Sequence, residues 1–412
     1  MKIVILNVGN EVVEGDVVNS NAQFLSERIH DIGHMVLFHT VCRDNKEDIE
    51  SFLEFFSKKA DLVILTGGLG PTKDDMTKEV ISGYLKLELE LNDSVLNHIK
   101  EKFKEFNKEM TSNNIKQAFV IKGSKILFNE KGTAPGFLLE RNDCSYILLP
   151  GPPKEMKYLF NKYIDEFLHN KIGNYKFKSK IIKIEGLGES FVESKISDLI
   201  EEENVYVATY ASLGEVKIKI STNKSESELE KIKNIIVNRF RDNIVSFSEE
   251  KTSKIVCKYL VDNNISISAA ESCTGGLLAS EIVDNSGVSK IFNGSFITYS
   301  NSMKIDMLNV NKETLLKFGA VSYEVAREML EGLSNKVNTD IAVSITGVAG
   351  PNGGSIDKPI GLVYIGIRIF DDVYIMENKF RGNRTEIRER TCNKVFNFIS
   401  QKIVLTNFQN II

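Results

Sequence analysis

The residues of this sequence that could do chemistry fall into two constellations. The first is the run Thr66-Gly67-Gly68-Leu69-Gly70-Pro71-Thr72-Lys73-Asp74-Asp75. Its glycines let the backbone turn tightly and bring amides up to an anion. A helix opening behind them would add a favourable dipole for phosphate. Two carboxylates beside a phosphate repel it unless a divalent cation such as Mg²⁺ bridges the two through oxygen ligands. Asp74 and Asp75 can also be read as first-turn acids favoured by the helix macrodipole; the glycines weigh for metal and phosphate. Three further loops would lie at strand ends: Gly9-Asn10-Glu11 with Asp16 and Asn21, Lys131-Gly132-Thr133-Ala134-Pro135-Gly136, and Pro150-Gly151-Pro152-Pro153, which opens a helix carrying Glu155 and Met156. Several such loops at one sheet edge point to a nucleotide cleft.

The second constellation starts at Ala269-Ala270-Glu271-Ser272-Cys273-Thr274-Gly275-Gly276. A nucleophile on a sharp strand-to-helix turn projects from the sheet, with backbone amides close by for an oxyanion. Ser272 and Cys273 are both possible nucleophiles. The last histidine of the chain is His169, and a cysteine usually needs a histidine to become a thiolate at neutral pH. Ser272 is therefore preferred, with Cys273 as small apolar filler. A serine without histidine needs another base, and a lysine of lowered pKa can serve. Tyr299-Ser300-Asn301-Ser302-Met303-Lys304 offers Tyr299 and Lys304, although on composition alone Lys304 reads as a solvated surface lysine. The loop Thr346-Gly347-Val348-Ala349-Gly350-Pro351-Asn352-Gly353-Gly354 can donate amides to an oxyanion or a phosphate. Arg384 and Arg388, near Arg381, suit a phosphomonoester through their paired donors, or form the solvated face of a helix.

The elements that must position these residues follow from hydrophobic periodicity. Over residues 1–170 the strand-like runs IVILNV, HMVLFHTV and LVILTGG alternate with helical spacing, and Asp44 reads as the N-cap of the helix bearing Ile49 and Leu53. Such βαβαβ order predicts a mostly parallel sheet covered by helices on both faces. Residues 171–248 read as a small βαββαβ α+β module, with a hairpin around Leu213-Gly214. It has no GxxG clamp, so RNA binding is not supported; a spacer or dimerisation role fits. Residues 249–412 return to α/β alternation, ending in a strand GLVYIGIRIF, a basic segment and a last helix. The expected fold is α/β, two α/β domains joined by the small module.

Composition narrows the class. The 412 residues carry a formal net charge of −4, with 42% hydrophobic and 26% charged residues, the balance of a globular protein without a nucleic-acid-binding charge excess. The longest apolar runs are too short to span a bilayer, and MKIVILNVGNE lacks a signal-peptide pattern, so a cytoplasmic protein is expected. Five scattered cysteines without a CxxC argue against a zinc ribbon or a disulfide framework.

The runs TGGLGPTKDD, KGTAPGF and LPGPPKEM, with VVNSNAQFL upstream, resemble the N-terminal domain of the competence/damage-inducible protein A (CinA) family, a domain similar to molybdopterin-binding domains. Its first loop usually reads GTELL; here it is GNEVV, with Asn10 for threonine. The resemblance implies a metal-dependent pyrophosphatase acting on ADP-ribose or a related nucleotide. Asp74 and Asp75 would hold the metal; Gly67, Gly68, Gly70 and Thr72 would cradle phosphate, with Glu11, Asp44, Lys131 and Thr133 as further nucleotide contacts. AESCTGG, GSFITYSNSMK, GAVS, ITGVAGPNGG and RGNRTEIR, in that order, resemble the family's C-terminal domain, which is similar to nicotinamide mononucleotide deamidase. That implies hydrolysis of the nicotinamide carboxamide to the carboxylate and ammonia, with no cofactor. Ser272 would be nucleophile, Lys304 base, and Tyr299 would orient or shuttle the proton. Thr274, Gly275 and Gly276 would contact substrate, Thr346 and Gly347 would line the oxyanion or amide pocket, and Arg384 or Arg388 would hold phosphate. Where the family shows GDR this chain has Asn383, which bears on the arginine's orientation. The whole reads as a bifunctional pyridine-nucleotide salvage hydrolase, a homodimer with no membrane or nucleic-acid partner. A non-catalytic nucleotide- or partner-binding protein is the rival, and a molybdopterin nucleotidyltransferase the rival for the first domain.

Overall fold

The computed structural model describes residues 1–141, 143–171, 178–200, 205–222 and 225–405. The chain divides into two compact units, Met1–Lys178 and Ser179–Ile412. Among the described residues no helix is long and apolar enough to cross a membrane.

The first unit is built on strands β1 (Lys2–Val8), β2 (Met35–Cys42), β3 (Leu62–Thr66), β4 (Leu89–Leu91), β5 (Phe119–Ile121), β6 (Lys125–Leu127), β7 (Gly136–Leu139) and β8 (Ser145–Leu149). Six of them form one sheet in the order β2-β1-β3-β8-β7-β6. The pairs β1–β2, β1–β3 and β3–β8 are parallel, while β7–β8 and β6–β7 are antiparallel. The parallel centre matches the apolar runs: every residue of β3 and β8 is buried, as expected for strands covered on both faces. One face packs Leu6, Val63 and Leu65 against Leu53 and Ile81; the other packs Ile5 and Ile64 against Leu25, Ile29 and Met156. Strands β4 and β5 pair separately.

Asp44 does not cap the helix Lys46–Ser57. Asn45 does, accepting from the Asp48 N–H at 2.8 Å. Both residue types cap helices well, so the sequence leaves the choice between neighbours open.

In the second unit, β9 (Lys178–Glu185), β10 (Val205–Ser212), β11 (Glu215–Thr222) and β12 (Ile244–Ser246) form a sheet ordered β10-β11-β9-β12, with helices Glu189–Ile200 and Glu226–Phe240 supplying the βαββαβ order. A second sheet runs β14-β13-β15-β16-β17, from β13 (Ile267–Glu271), β14 (Phe292–Ile297), β15 (Ile341–Gly347), β16 (Leu362–Ile369) and β17 (Asp372–Lys379). β13 is parallel to both β14 and β15; β15–β16 and β16–β17 are antiparallel. β17 escaped the sequence pattern because it is a half-exposed edge strand whose residues, DVYIMENK, mix polar and apolar types without a continuous core face.

The last helix, Arg384–Ile399, joins the two sheets of this unit. Asn393 donates to the Leu213 carbonyl in the hairpin turn at 3.1 Å, and Lys394 pairs with Glu185 at 2.9 Å. Just beyond it the Ser400 hydroxyl donates to the Val245 carbonyl at 2.7 Å.

Candidate active sites

In the first unit the loops after β1, β3 and β8 converge at the carboxyl ends of parallel strands. They enclose a cleft of about 520 Å³. Gly67 has φ +103°, and a Cβ there would lie 2.0 Å from the Val8 carbonyl oxygen, so only glycine lets the two strand ends approach. Asn21 ties the floor together, donating to the Thr66 hydroxyl at 3.2 Å and to the Gly151 carbonyl at 2.7 Å.

The loop continues to Met76, and the helix Thr77–Tyr84 starts beyond both aspartates, with Glu79 as its first-turn acid. Asp74 and Asp75 are therefore loop residues facing the cleft, and the macrodipole reading of them fails on position. Five carboxylates line the cleft (Glu11, Asp44, Asp74, Asp75 and Glu155) with no lysine, arginine or histidine among the lining residues. Asp44 accepts from the Asn10 N–H at 2.8 Å. Burial, and then the negative charges of Glu11, Asp74 and Asp75, raise its carboxyl pKa. Burial likewise raises that of Glu155, against the Asn129 amide that donates to it at 2.6 Å.

Gly67, Gly68, Gly70 and Thr133 line this cleft, but Thr72 and Lys131 do not. Thr72 gives its backbone N–H (2.9 Å) and its hydroxyl to the Asp75 carboxylate, which shapes the loop rather than a phosphate cradle. Lys131 reaches the Tyr158 ring, 5.9 Å from its centroid. Among the described residues no three histidine, cysteine or acidic side chains are gathered as a ready metal cage. Asp74 and Asp75 are neighbouring oxygen donors for a hard cation, in the same cleft as Glu11 and Asp44.

In the second unit the chain leaves β13 at Glu271 and turns through Ser272–Gly276 into the helix Leu277–Val283. The helix Asn301–Leu308, capped by Ser300, follows neighbouring β14 and carries Lys304 back over that turn. Lys304 Nζ lies 3.0 Å from Ser272 Oγ and donates to the Thr298 carbonyl at 2.8 Å. The residue is 1% exposed. Burial pulls its pKa down to about 8, against an opposing effect of Cys273, because desolvation disfavours the ammonium. Burial pushes the Cys273 thiol up to about 12. Cys273 is thus a poor thiolate, while Ser272 sits beside an amine that can lose its proton near neutral pH.

A cleft of about 250 Å³ opens over this pair, lined by Tyr299, Thr346, Gly347, Gly350 and Arg384 among others. Arg384 donates to the Gly350 carbonyl at 2.7 Å and to the Tyr299 hydroxyl at 3.1 Å. The Tyr299 hydroxyl is thus turned to Arg384, and its carbonyl faces Lys304 at 3.5 Å. The Thr346 hydroxyl is taken by the Ala320 carbonyl at 2.7 Å. Thr274, Gly275, Gly276 and Arg388 do not line the cleft. Arg388 donates from Nε and Nη2 to the Thr274 carbonyl at 3.1 and 2.6 Å, bracing the turn from the last helix instead of waiting for a phosphate. Asn383, where the family shows aspartate, accepts from the N–H groups of Thr385 and Glu386 and so caps that helix.

In the sequence Glu155 shows only as part of a helix, and Glu271 carries no mark of a role. A carboxylate facing a cleft or a set of backbone amides has no partner with a recognisable letter, so neither left a signal beyond its place in a motif.

Comparison with known proteins gives three family matches. The model described as "Probable molybdopterin binding domain" matches residues 4–170, "Damage-inducible protein CinA KH domain" residues 179–245, and "CinA C-terminal domain" residues 249–403. A Clostridium botulinum (strain Langeland) protein named for competence-damage induction is 45% identical over 411 residues, covering 98% of this chain and all of the relative. A "CinA-like protein" of Dictyoglomus turgidum is 43% identical over 394 residues, covering 94% of this chain and 96% of its own. Among solved structures, the competence/damage inducible protein CihA of Agrobacterium tumefaciens is 37% identical, covering 36% of this chain and 91% of its own at TM-score 0.35.

Proposed function

This chain belongs to the competence/damage-inducible protein A (CinA) family, and from that premise we propose that its second unit deamidates nicotinamide mononucleotide with Ser272 as nucleophile and Lys304 as base. The observation that carries the reading is the buried lysine amine, 3.0 Å from Ser272 Oγ, with its pKa near 8. A surface lysine would show neither the burial nor the partner.

The chemistry follows from the parts. Neutral Lys304 takes the Ser272 proton as Oγ bonds to the carboxamide carbon, and the carbonyl electron pair moves onto oxygen. Backbone amides hold that oxyanion. The intermediate collapses, the carbon–nitrogen bond breaks, and Lys304 returns the proton so that ammonia leaves. Water then attacks the acyl-enzyme with Lys304 again as base. Nicotinate mononucleotide departs, and Ser272 recovers its proton. Arg384, which lines the cleft, would meet the phosphate.

The decisive experiment is ammonia release from nicotinamide mononucleotide in excess EDTA, with wild type and Ser272→Ala. Activity in the first and its loss in the second supports the amidase. A wild type that releases no ammonia even with metal restored sinks it, and the unit is then a binding module.

A second reading concerns the first unit, and the all-acidic lining of its cleft favours it. A cleft with five carboxylates and no cationic side chain can take a pyrophosphate only together with divalent cations, which suit oxygen ligands and complete their coordination with water and substrate phosphate. Metal-dependent cleavage of the ADP-ribose pyrophosphate fits, with Asp74 and Asp75 as the carboxylates that would hold the cation and Glu11 and Asp44 on the same lining. Tighter binding of a pterin than of ADP-ribose would favour a molybdopterin nucleotidyltransferase instead.

A further inference from the structure

Glu271, the residue immediately before the nucleophile, has a side chain that is 0% exposed and yet fully partnered. Its Oε2 accepts from the N–H groups of Gly276 (2.9 Å) and Leu278 (3.2 Å). Its Oε1 accepts from the Ala279 N–H (3.0 Å) and from the Ser295 hydroxyl (3.1 Å) on β14. Four donors on one buried carboxylate form a costly arrangement that survives only when fully satisfied. They tie the end of β13, the first turn of the helix Leu277–Val283 and strand β14 to one side chain, and Ser272 is the first residue past that knot.

These bonds also decide which amides stay available. Gly275 N–H goes to the Ser272 carbonyl and Leu277 N–H to the Thr274 carbonyl. Ser280 N–H goes to the Gly276 carbonyl, and Glu271 takes Gly276, Leu278 and Ala279. The N–H groups from Gly275 to Ser280 are therefore spent. In the turn, no other residue among the described ones takes the N–H of Cys273 or Thr274, the two residues that follow Ser272. On the far side, Arg388 fixes the Thr274 carbonyl with two bonds, which sets the plane of the Thr274–Gly275 peptide.

We propose that Glu271 is the positioning residue of the nucleophile turn: it consumes the start of the following helix and so leaves the amide of Cys273, which lines the cleft, as the oxyanion donor beside Ser272. This rests on the reading of Ser272 as nucleophile. Glu271 touches neither substrate nor reacting atoms. It acts by holding Ser272 and the Cys273 amide in register with Lys304, and misplacement of such a group by about 1 Å costs on the order of 100-fold in rate.

Glu271→Gln is the isosteric test. Its amide oxygen can accept where Oε2 does, but its NH₂ opposes the Ala279 N–H. Two assays on the full-length protein separate the possibilities. The first is the rate and final stoichiometry of Ser272 labelling by a fluorophosphonate probe, read by intact mass, which needs no nicotinamide nucleotide. The second is kcat and KM for ammonia release. The expected result is a fall of roughly 10- to 100-fold in both labelling rate and kcat, with full final stoichiometry, KM within about threefold, and an unmoved pH-rate midpoint. Ser295→Ala, which removes one of the four bonds, should fall by less, within about fivefold. Equal labelling rates in wild type and Glu271→Gln overturn the inference. So does a Glu271→Gln protein whose lost activity is matched by lost stoichiometry, because that is a folding role alone. A wild type that is neither labelled at Ser272 nor active defeats the underlying serine reading itself.

Discussion

Ser272 and Lys304 meet at 3.0 Å because they leave the same edge of the sheet from adjacent parallel strands, β13 and β14. The serine stands on the turn, and the lysine sits one turn into the helix that follows the neighbouring strand. Neither member of the pair is a histidine, and the last histidine of the chain is His169. Desolvation lowers the pKa of the lysine, so that its neutral amine becomes available near pH 8.

Replacing Ser272 by alanine removes the bond-forming oxygen, and ammonia release from nicotinamide mononucleotide should fall by about 1,000-fold or more. Cys273→Ala should keep activity within about fivefold, because a thiol pushed up to about 12 is not the nucleophile. Steady-state ammonia assays of both variants check this. The opposite ranking would transfer the chemistry to the cysteine.

The pH-rate curve should rise across neutrality and level off above about pH 8, where the free amine of Lys304 predominates. Protonation below that value removes the base, so each unit of pH below 7 should cost close to tenfold. The measurement is kcat/KM between pH 6 and 9.5. A midpoint near the ordinary lysine value would show that burial does not tune this amine.

Lys304→Met should abolish the amidase without lowering the thermal midpoint at pH 7. In the folded state Lys304 titrates near 8, below its usual 10.5. The unfolded chain therefore binds more protons between these values, and lysine-containing protein gains stability as pH rises through that window. The upper bound is on the order of 3 kcal/mol. The variant's relative advantage should be greatest at or below pH 7 and fade toward pH 10, against a cost of about 1–3 kcal/mol for the unpaired Thr298 carbonyl. Melting curves at pH 7 and 10 test it.

The two arginines should separate by substrate. Arg384→Ala should raise KM for the mononucleotide by roughly tenfold or more and leave the phosphate-free nucleoside unaffected. Arg388→Ala, which frees the Thr274 carbonyl, should lower kcat for both substrates alike.

Chelation should distinguish the two clefts. EDTA should stop ADP-ribose hydrolysis and spare ammonia release. Asp44→Asn should raise the Mg²⁺ concentration for half-maximal hydrolysis by about tenfold or more, because it removes one negative charge from a cleft crowded enough that burial and the charges of Glu11, Asp74 and Asp75 raise the Asp44 pKa. Hydrolysis that survives both treatments would remove the cation from the first unit.

Much of this architecture is legible in the residues. The βαβαβ order, the hairpin at Leu213-Gly214 and the turn at Ser272 all follow from apolar runs ended by glycine. Cleft residues that a glycine loop announces, such as Gly67 and Asp74, lie where the pattern puts them. The illegible part is what depends on a partner without a side-chain signature. Arg388 and Arg384 look alike in RGNRTEIR, and only the Thr274 carbonyl tells a brace from a cleft wall. Thr72 looks like a phosphate ligand until its hydroxyl is seen on Asp75. Lys304 looks solvated until β14 is laid against β13.

The bridge formed by the last helix has a practical consequence for anyone cutting this protein apart. A fragment beginning near residue 249 would strip Glu185 from Lys394, the Leu213 carbonyl from Asn393 and the Val245 carbonyl from Ser400. The same helix that carries Arg384 and Arg388 would then present a bare ammonium and two unclaimed polar groups on a newly wetted flank. A stand-alone version of this part of the chain would need that flank redesigned, while Ser272 and Lys304 could stay untouched.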